Sequence, residues 1–232
     1  MLRRVGKLLR MGVPVFIHDS ESRENEVDMV FYAPMVTAGS VAAMRRDAGG
    51  LICYAMPREV GEQLGLRYMD EILRDVGYGP IAGRVLRYGD PPNFSLWVNH
   101  VGVATGIRDE DRALTIRELD RVASLVLGGR VGDAREAFYR EFTSPGHVPI
   151  LLGRGLSRRR GHTELSLALA ELAGLRPSIV VAEVLSDGGA MSVGDAERLA
   201  RVYGSILIEG DEIVSMWDRA GGAAAGTTPG SA

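Results

Sequence analysis

The chain has 232 residues, of which 46% are hydrophobic and 25% are charged, and its formal net charge is −3. These values describe an ordinary globular protein with one hydrophobic core, and they exclude a disordered or strongly basic chain. Nucleic acid and anionic membrane surfaces are therefore not expected as partners.

Two single-residue counts narrow the chemistry and the compartment. Cys53 is the only cysteine, so an internal disulfide is excluded and a reducing cytoplasm is expected. Lys7 is the only lysine and falls in a predicted surface helix, so carbanion chemistry is expected to use a metal instead of a Schiff base. No signal peptide is expected, and no stretch reaches the ~18 apolar residues of a membrane span.

Glycine, proline and hydrophobic periodicity divide the chain into short elements. In the first half they predict, in chain order, a helix (2–11), a strand (14–17), a charged loop (18–28), a strand (29–32), a helix capped by Ser40 and ending at 49–50, a strand (51–56), a helix (59–66) and an irregular segment (74–92).

In the second half they predict a strand (94–98), a loop (102–106), a long helix (109–127), a helix (134–142), a turn (144–146), a strand (147–152), a helix (163–172), a strand (179–185), a turn (187–189), a helix (195–203), a strand (206–208) and a helix (211–217).

Because strands and helices intermingle without strict alternation, this order predicts an α+β fold in which helices pack on a mixed β-sheet. We expect a single domain over residues 1–219 and a disordered Gly/Ala-rich tail over 220–232. Neither a Gly-x-Gly-x-x-Gly sequence after a strand nor a P-loop is present, so nucleotide binding is not indicated.

Three carboxylates lie within five residues in the segment Arg23-Glu24-Asn25-Glu26-Val27-Asp28, which follows an apolar strand. A run of this kind is, by default, a solvated loop. Carboxylates at the end of a strand can also be held rigidly enough to bind a hard divalent cation. The first segment is therefore a candidate metal site.

The second segment, Arg159-Arg160-Gly161-His162-Thr163-Glu164, lies at the start of a predicted helix. A helix start offers unpaired N–H groups and positive dipole charge, and Arg159 and Thr163 add further donors. This combination favours a phosphate site. The alternative for His162 is a histidine that caps the helix or is partly buried.

Four other residues have both a functional and a structural interpretation. His147 follows Pro-Gly and is either catalytic or part of a structural turn. Glu183 lies within an apolar strand, where a carboxylate is either used in chemistry or held in a core ion pair. Thr105 could donate to an anion or cap the next helix, and Cys53 is interpreted as a core residue instead of a nucleophile.

Taken in order, these segments resemble the 3,4-dihydroxy-2-butanone 4-phosphate synthase family, with the greatest similarity to archaeal members. The resemblance extends from about Lys7 to Trp217. It depends on six motifs: Arg-Glu-Asn-Glu-x-Asp (23–28), Gly-Leu-Ile-Cys (50–53), Thr-Gly (105–106), Pro-Gly-His (145–147), Arg-x-x-His-Thr-Glu (159–164), and Glu183 with an Asp-Gly turn (187–188).

The resemblance implies conversion of D-ribulose 5-phosphate to the four-carbon ketone phosphate and formate in riboflavin biosynthesis. It also implies Mg²⁺ or Mn²⁺ as cofactor and a homodimer with active sites at the subunit boundary. The implied roles are metal ligation (Glu24, His162), substrate contact (Arg23, Asp28), phosphate binding (Arg159, Thr163), catalysis (Asp28, His147, Glu183) and lining of the site (Cys53, Thr105).

Thr143 and Ser144 stand where the family commonly has an arginine before Pro-Gly-His, which places in doubt a phosphate contact from that loop. Two alternative functions stay open at this point. One is another metal-dependent sugar-phosphate isomerase or aldolase, and the other is a non-catalytic phosphosugar-binding relative.

Overall fold

The structure of the chain, a computed structural model, describes residues 1–82, 84 and 89–221. The helices are α1 (Leu2–Arg10), α2 (Ala38–Ala43), α3 (Arg58–Gln63), α4 (Met69–Asp75), α5 (Gly79–Ala82), α6 (Asp109–Leu127), α7 (Val131–Glu141), α8 (His162–Leu172), α9 (Val193–Val202) and α10 (Gly210–Arg219). The strands are β1 (Val15–His18), β2 (Val27–Tyr32), β3 (Cys53–Pro57), β4 (Phe94–His100), β5 (Phe142–Gly153), β6 (Ile179–Glu183), β7 (Leu185–Ser186), β8 (Gly189–Ala190) and β9 (Leu207–Glu209).

Most of these strands form one mixed sheet. Its seven strands lie in the order β4-β5-β3-β6-β2-β1-β9, while β7 and β8 form a separate hairpin. The β3–β5 and β1–β9 pairs are parallel and the other neighbouring pairs are antiparallel. The predicted α+β fold with helices packed on a mixed sheet is therefore confirmed.

Helices cover both faces of this sheet because the side chains of each strand alternate between the two faces. In β2, Met29 and Phe31 belong to a hydrophobic cluster that includes residues of α2 and α6. Val30 and Tyr32 belong to a second cluster, which includes residues of α1, α8 and α10. Asp28, two positions before Val30, therefore faces α8.

The same period of two places three candidate site residues on the α8 face, near one end of the sheet. Asp28 in β2 is directly opposite Glu183 in β6. Cys53 in β3 is opposite Val181, which lies two positions before Glu183 and on the same face. Register alone thus gathers these three side chains from strands that are distant in sequence.

Two residues in the first half of the chain have positions that differ from the prediction. Asp28 was expected in the charged loop, but it is the second residue of β2 and is buried. The N-cap of α2 is Thr37 instead of Ser40, and Ser40 is the third helical residue. Each side chain accepts a hydrogen bond from the backbone N–H of the other residue, which is a capping box. Because threonine and serine are both common N-cap residues, the sequence alone does not distinguish the two positions.

The segment after α7 also differs from the prediction. Ser144, Pro145 and Gly146 lie inside the long strand β5, not in a turn before it, and the Ser144–Pro145 peptide bond is cis.

Helices α4 and α5 occupy parts of the segment 74–92, which was predicted to be irregular. Residues 83 and 85–88 of that segment, and residues 222–232 of the predicted disordered tail, lie outside the described residues.

None of the helices in the described part of the chain combines the length and the apolar character that crossing a bilayer requires.

Replacing Thr37 with alanine tests the corrected start of α2. The Thr37 side chain accepts a hydrogen bond from the Ser40 N–H group, so its loss should lower the free energy of unfolding by about 1 kcal/mol. Urea denaturation followed by circular dichroism measures this change. Thr37→Ser keeps the hydroxyl and should be close to wild type, whereas equal losses in both variants would contradict the assignment.

Candidate active site

A buried carboxylate, Asp19, gives the acidic loop its shape. Its Oδ2 atom accepts hydrogen bonds from the Glu24 backbone N–H and from Arg23 Nη1, both at 3.0 Å. Its Oδ1 atom accepts from the Glu26 backbone N–H at 3.1 Å. Between these residues Asn25 adopts φ +56°, a left-handed conformation that asparagine tolerates well. The loop is therefore an ordered turn wrapped around Asp19, not a solvated run of charges.

The imidazole of His162, the first residue of α8, lies against this loop. Its Nε2 atom is 3.1 Å from the Glu26 backbone oxygen, which can only accept, so Nε2 carries the proton. The Nδ1 atom then faces two carboxylates, at 3.4 Å from Glu24 Oε2 and 3.6 Å from Asp28 Oδ1. The structure thus brings Glu24, Asp28 and His162 together although the acidic segment and α8 are far apart in the chain.

This arrangement fits a divalent cation. Ligand atoms of Asp19, Glu24 and His162 lie within 4.8 Å of one another. The buried Oδ1 atom of Asp28 has no hydrogen-bond partner among the described residues, which leaves a hard oxygen directed at the same place. The Glu26 carbonyl fixes the ring of His162 with Nδ1 directed at the carboxylates, as partners of metal-binding histidines do. Because Asp19 already accepts three N–H groups, Glu24 and His162 are the better ligand candidates.

The same carboxylates shift the protonation of the site. Burial, together with the charges of Glu183 and Glu24, raises the pKa of Asp28 to about 7, although His162 opposes the shift. Burial lowers the pKa of His162, but the carboxylates of Asp28 and Glu24 outweigh it and raise that pKa to about 9. Without a bound cation, protons therefore balance part of the buried negative charge.

Glu183 is held by the backbone of the neighbouring segment. Its Oε2 atom accepts a hydrogen bond from the Leu51 N–H at 2.8 Å, and the carboxylate forms no ion pair with any residue that the structure describes. A Cβ atom at Gly50 would clash with this carboxylate and with the Glu183 backbone, which explains the glycine. The nearby thiol of Cys53 is fully buried, and burial raises its pKa well above the usual value. Cys53 therefore lies near Glu183 and Asp28 as a neutral thiol.

Arg23 and Arg159 lie close together beside the start of α8. Gly161 separates them, and a Cβ atom there would clash with Arg159 Nη1 and crowd the Arg23 guanidinium. Both side chains are 9% exposed, and they border a cavity of about 420 Å³. Thr163, in the first turn of α8, is buried nearby. This part of the molecule has the positive charge and donors of an anion site.

Arg159 is held in place by Glu164, whose carboxylate is completely buried. Glu164 Oε2 accepts from Arg159 Nη1 at 2.7 Å, and Oε1 accepts from Asn93 Nδ2 at 2.8 Å and from the Arg154 N–H at 2.9 Å. Such a fully hydrogen-bonded carboxylate fixes the guanidinium while keeping it charged. Sequence reasoning quoted Glu164 as part of a motif but gave it no role.

His147 and Thr105 do not contact this cluster. His147 is exposed on β5, where its Nδ1 atom and backbone N–H interact with Asn99. Strands β3 and β6 separate β5 from β2, so three strand spacings, ~14 Å, lie between them. Thr105 is also exposed, and its hydroxyl donates to Asp111 instead of capping α6. His147 and Thr105 are thus the two sequence-predicted site residues that lie apart from the cluster around His162 in this chain.

Sequence reasoning also missed Asp19 and Asp111, which are both loop organisers. Asp111 accepts hydrogen bonds from the backbone N–H groups of residues 104–106 and forms an ion pair with Arg108. In each case an aspartate near a strand or helix end accepts hydrogen bonds from several backbone N–H groups of a nearby loop, which is common for this residue type. That preference is a signal, but it does not single out these aspartates among others in charged loops.

Comparisons with known proteins identify the family of this chain. A family model described as 3,4-dihydroxy-2-butanone 4-phosphate synthase matches residues 3–216. The chain is 39% identical over 227 residues to the 3,4-dihydroxy-2-butanone 4-phosphate synthase of Methanosarcina mazei, covering 93% of this chain and 90% of that protein. It is 41% identical over 221 residues to the synthase of Archaeoglobus fulgidus, covering 91% of each.

A solved structure gives the same answer for the fold. A crystal structure of a 3,4-dihydroxy-2-butanone 4-phosphate synthase in complex with two magnesium ions matches with a TM-score of 0.72 and 28% identity. The match covers 94% of this chain and 96% of that one.

Replacing Glu164 with glutamine tests its role in holding Arg159. Glu164 accepts hydrogen bonds from three N–H donors, and the amide group of glutamine would face at least one of them with a donor of its own. The free energy of unfolding should therefore fall by about 3 kcal/mol. Urea denaturation provides the measurement.

Glu171→Gln, on the same helix, is the matched control. Burial and the nearby Glu59 raise the pKa of Glu171, which makes no side-chain hydrogen bond or ion pair among the described residues. Its replacement should be neutral or slightly stabilising. Similar losses in both variants would show that the Glu164 network has no special contribution.

Proposed function

Because the chain belongs to the 3,4-dihydroxy-2-butanone 4-phosphate synthase family, a family of carbon–carbon lyases, we propose that it converts D-ribulose 5-phosphate to 3,4-dihydroxy-2-butanone 4-phosphate and formate. This reaction supplies the four-carbon unit of riboflavin. The observation that carries the proposal is the convergence of Glu24, Asp28 and His162 on one buried cluster beside two buried arginines.

Glu24 and His162 would hold the cation, which we propose to be Mg²⁺. The matched crystal structure of another synthase contains two magnesium ions, which supports use of a divalent metal here. An imidazole ligand is less typical of Mg²⁺ than an oxygen ligand, so Mn²⁺ is the alternative. When bound, the cation stabilises negative charge that develops on substrate oxygens. Asp19 keeps the loop in the shape that presents Glu24.

Proton transfer is assigned to carboxylates on the sheet. The substrate must lose a proton next to its carbonyl, lose water, rearrange its carbon skeleton, take up a water molecule again and release formate. The buried Oδ1 atom of Asp28 faces His162 and has no hydrogen-bond partner among the described residues, so this carboxylate can accept and return a proton. Glu183 lies opposite Asp28 in the β2–β6 register, so it can act on the same substrate. Cys53 lines this surface without taking part as a nucleophile.

The phosphate group of the substrate would bind Arg159 and Thr163, with Arg23 contacting substrate beside them. Arg159 is fixed by Glu164, and Thr163 lies in the first turn of α8, where backbone N–H groups are unpaired. The phosphate end would then lie beside the cluster around His162, because Thr163 follows His162 in α8. A sugar phosphate can therefore span both sites.

We also propose that a homodimer completes the active site with His147 and Thr105 of the partner subunit. Both side chains are exposed in this chain, and no described contact joins them to Glu24 or His162. Trp97, Val101 and Ile107 expose apolar surface in the same region, as subunit interfaces do. His147 would then supply a third acid–base group. We place the enzyme in the cytoplasm, where its single thiol stays reduced.

Incubating the purified protein with Mg²⁺ and ribulose 5-phosphate tests the reaction. Formate and a four-carbon phosphate should appear in ¹³C NMR spectra, EDTA should stop their formation, and excess Mg²⁺ should restore it. A product that keeps five carbons would indicate an isomerase instead, and binding without turnover would indicate a non-catalytic relative. Folded protein that releases no formate would contradict the proposal.

The variants Glu24→Ala and His162→Ala test the metal ligands. Each should lower formate production by more than about a hundredfold. Loss of a group that only orients a metal ligand costs about 10- to 100-fold in activity, and loss of the ligand itself should cost more. Glu21→Ala is the matched control, since Glu21 is an exposed carboxylate of the same loop. Circular dichroism should show a retained fold. Turnover close to wild type in either ligand variant would mean that the metal lies elsewhere.

Metal affinity should also depend on pH. In the metal-free protein His162 stays protonated below a pH of about 9, whereas metal ligation requires its neutral form. The apparent affinity for Mn²⁺ should therefore rise with pH and level off above about 9. Electron paramagnetic resonance of free Mn²⁺ measures this affinity without turnover. An affinity that does not change across this pH range would contradict ligation by His162.

A further inference from the structure

The carboxylate of Asp90 lies between the two arginines assigned to the phosphate end of the substrate. Its Oδ2 atom accepts a hydrogen bond from Arg23 Nε at 3.0 Å and lies 3.8 Å from Arg159 Nε. All three residues line the cavity of about 420 Å³ beside α8. An anionic group of the chain itself therefore occupies a place suited to a bound anion.

The Asp90 carboxylate accepts a hydrogen bond from only one of the two arginines. Arg159 is 9% exposed and donates from Nη1 to Glu164, but its buried Nε atom has no hydrogen-bond partner among the described residues. The distance of 3.8 Å to Asp90 is too long for a hydrogen bond. Because a buried N–H without an acceptor is unfavourable, an anion that reaches both guanidinium groups would bind better than Asp90 does.

A phosphate ester has the required shape and charge. It offers three acceptor oxygens and carries close to two negative charges above neutral pH, and guanidinium groups bind it through paired hydrogen bonds. Asp90 offers a single charge and, here, one bonded oxygen. The two anions cannot share this site without strong repulsion, because both would lie within a few ångströms in a partly buried place.

The segment just after Asp90 is held by Arg154. Arg154 donates to the Pro92 backbone oxygen at 3.1 Å and to Asn93 Oδ1 at 3.2 Å. Asn93 in turn donates to Glu164, the same carboxylate that holds Arg159. Glu164 therefore holds both Arg159 and the segment that leads from Asp90 into β4.

We propose that Asp90 is a specificity-determining residue that competes with phosphate for Arg23 and Arg159. A sugar phosphate displaces it because the ester binds through both its phosphate and its sugar oxygens. Free phosphate lacks the sugar contacts, so Asp90 keeps its affinity low. This inference rests on the proposed function in one respect, namely that these arginines bind the phosphate end of the substrate.

The variant Asp90→Asn removes the competing charge and keeps the size of the side chain. Its affinity for inorganic phosphate, measured by calorimetry on the metal-free protein at mildly alkaline pH, should be about tenfold higher than that of the wild type, as expected for one charge-assisted contact. With ribulose 5-phosphate, KM should fall while kcat stays within about twofold, which a general structural defect would not produce.

Asp211→Asn is the matched control, because Asp211 lines the same cavity and its replacement removes the same charge. Its phosphate affinity should equal that of the wild type. Equal tightening in both variants would reduce the effect to bulk charge and overturn the proposal, as would unchanged or weaker phosphate binding by Asp90→Asn. Thermal melting checks the fold, and Asp90→Ser repeats the test if the asparagine variant is unstable.

The two proposals fail separately. Formate release by the wild type, combined with unchanged phosphate affinity in Asp90→Asn, would overturn only the competition by Asp90. Tighter phosphate binding in that variant, combined with no formate from the wild type, would overturn only the proposed reaction. The binding measurement needs neither turnover nor metal, so it gives a result in both cases.

Discussion

The concentration of carboxylates around the buried imidazole of His162 is the constraint on which this structure depends. Like charges repel strongly in a partly buried place, so their gathering is unfavourable unless protons or a cation balance them. In the metal-free chain protons do so, because burial and the neighbouring carboxylates raise the pKa of Asp28 to about 7, and the carboxylates raise that of His162 to about 9 against the effect of burial. A divalent cation would replace these protons. The site is therefore unfavourable for folding and favourable for binding, as functional sites often are.

Rigid elements supply this arrangement. Asp28 and Glu183 face each other across two paired strands, so their separation is fixed by the sheet. His162 is fixed by the start of α8 and by the Glu26 carbonyl. The only ligand candidate on a loop is Glu24, and three N–H groups bound to Asp19 hold that loop in place. The protein thus builds even its flexible-looking segment around a buried carboxylate.

Much of the fold and part of the site could be predicted from sequence. The long helix α6 was predicted with its observed bounds because its charged start and glycine end are strong local signals. Asp28 was misplaced because a polar residue at a strand end resembles a loop until the pairing with Glu183 is known. Thr37 and Ser40 were exchanged because either can begin a capping box. His147 shows a deeper limit, since its motif matches the family pattern but the fold of one chain leaves its side chain exposed on β5, beside Asn99.

The position of Cys53 has a practical consequence. This thiol is the only one in the sequence, it is neutral and buried, and it belongs to a strand with neighbours on both sides, β5 and β6. A thiol-directed reagent can reach it only when the middle of the sheet opens. The rate of alkylation therefore reports the opening of the sheet around β3, and a bound cation or substrate that stabilises this region would slow it. The molecule contains its own probe of native-state unfolding.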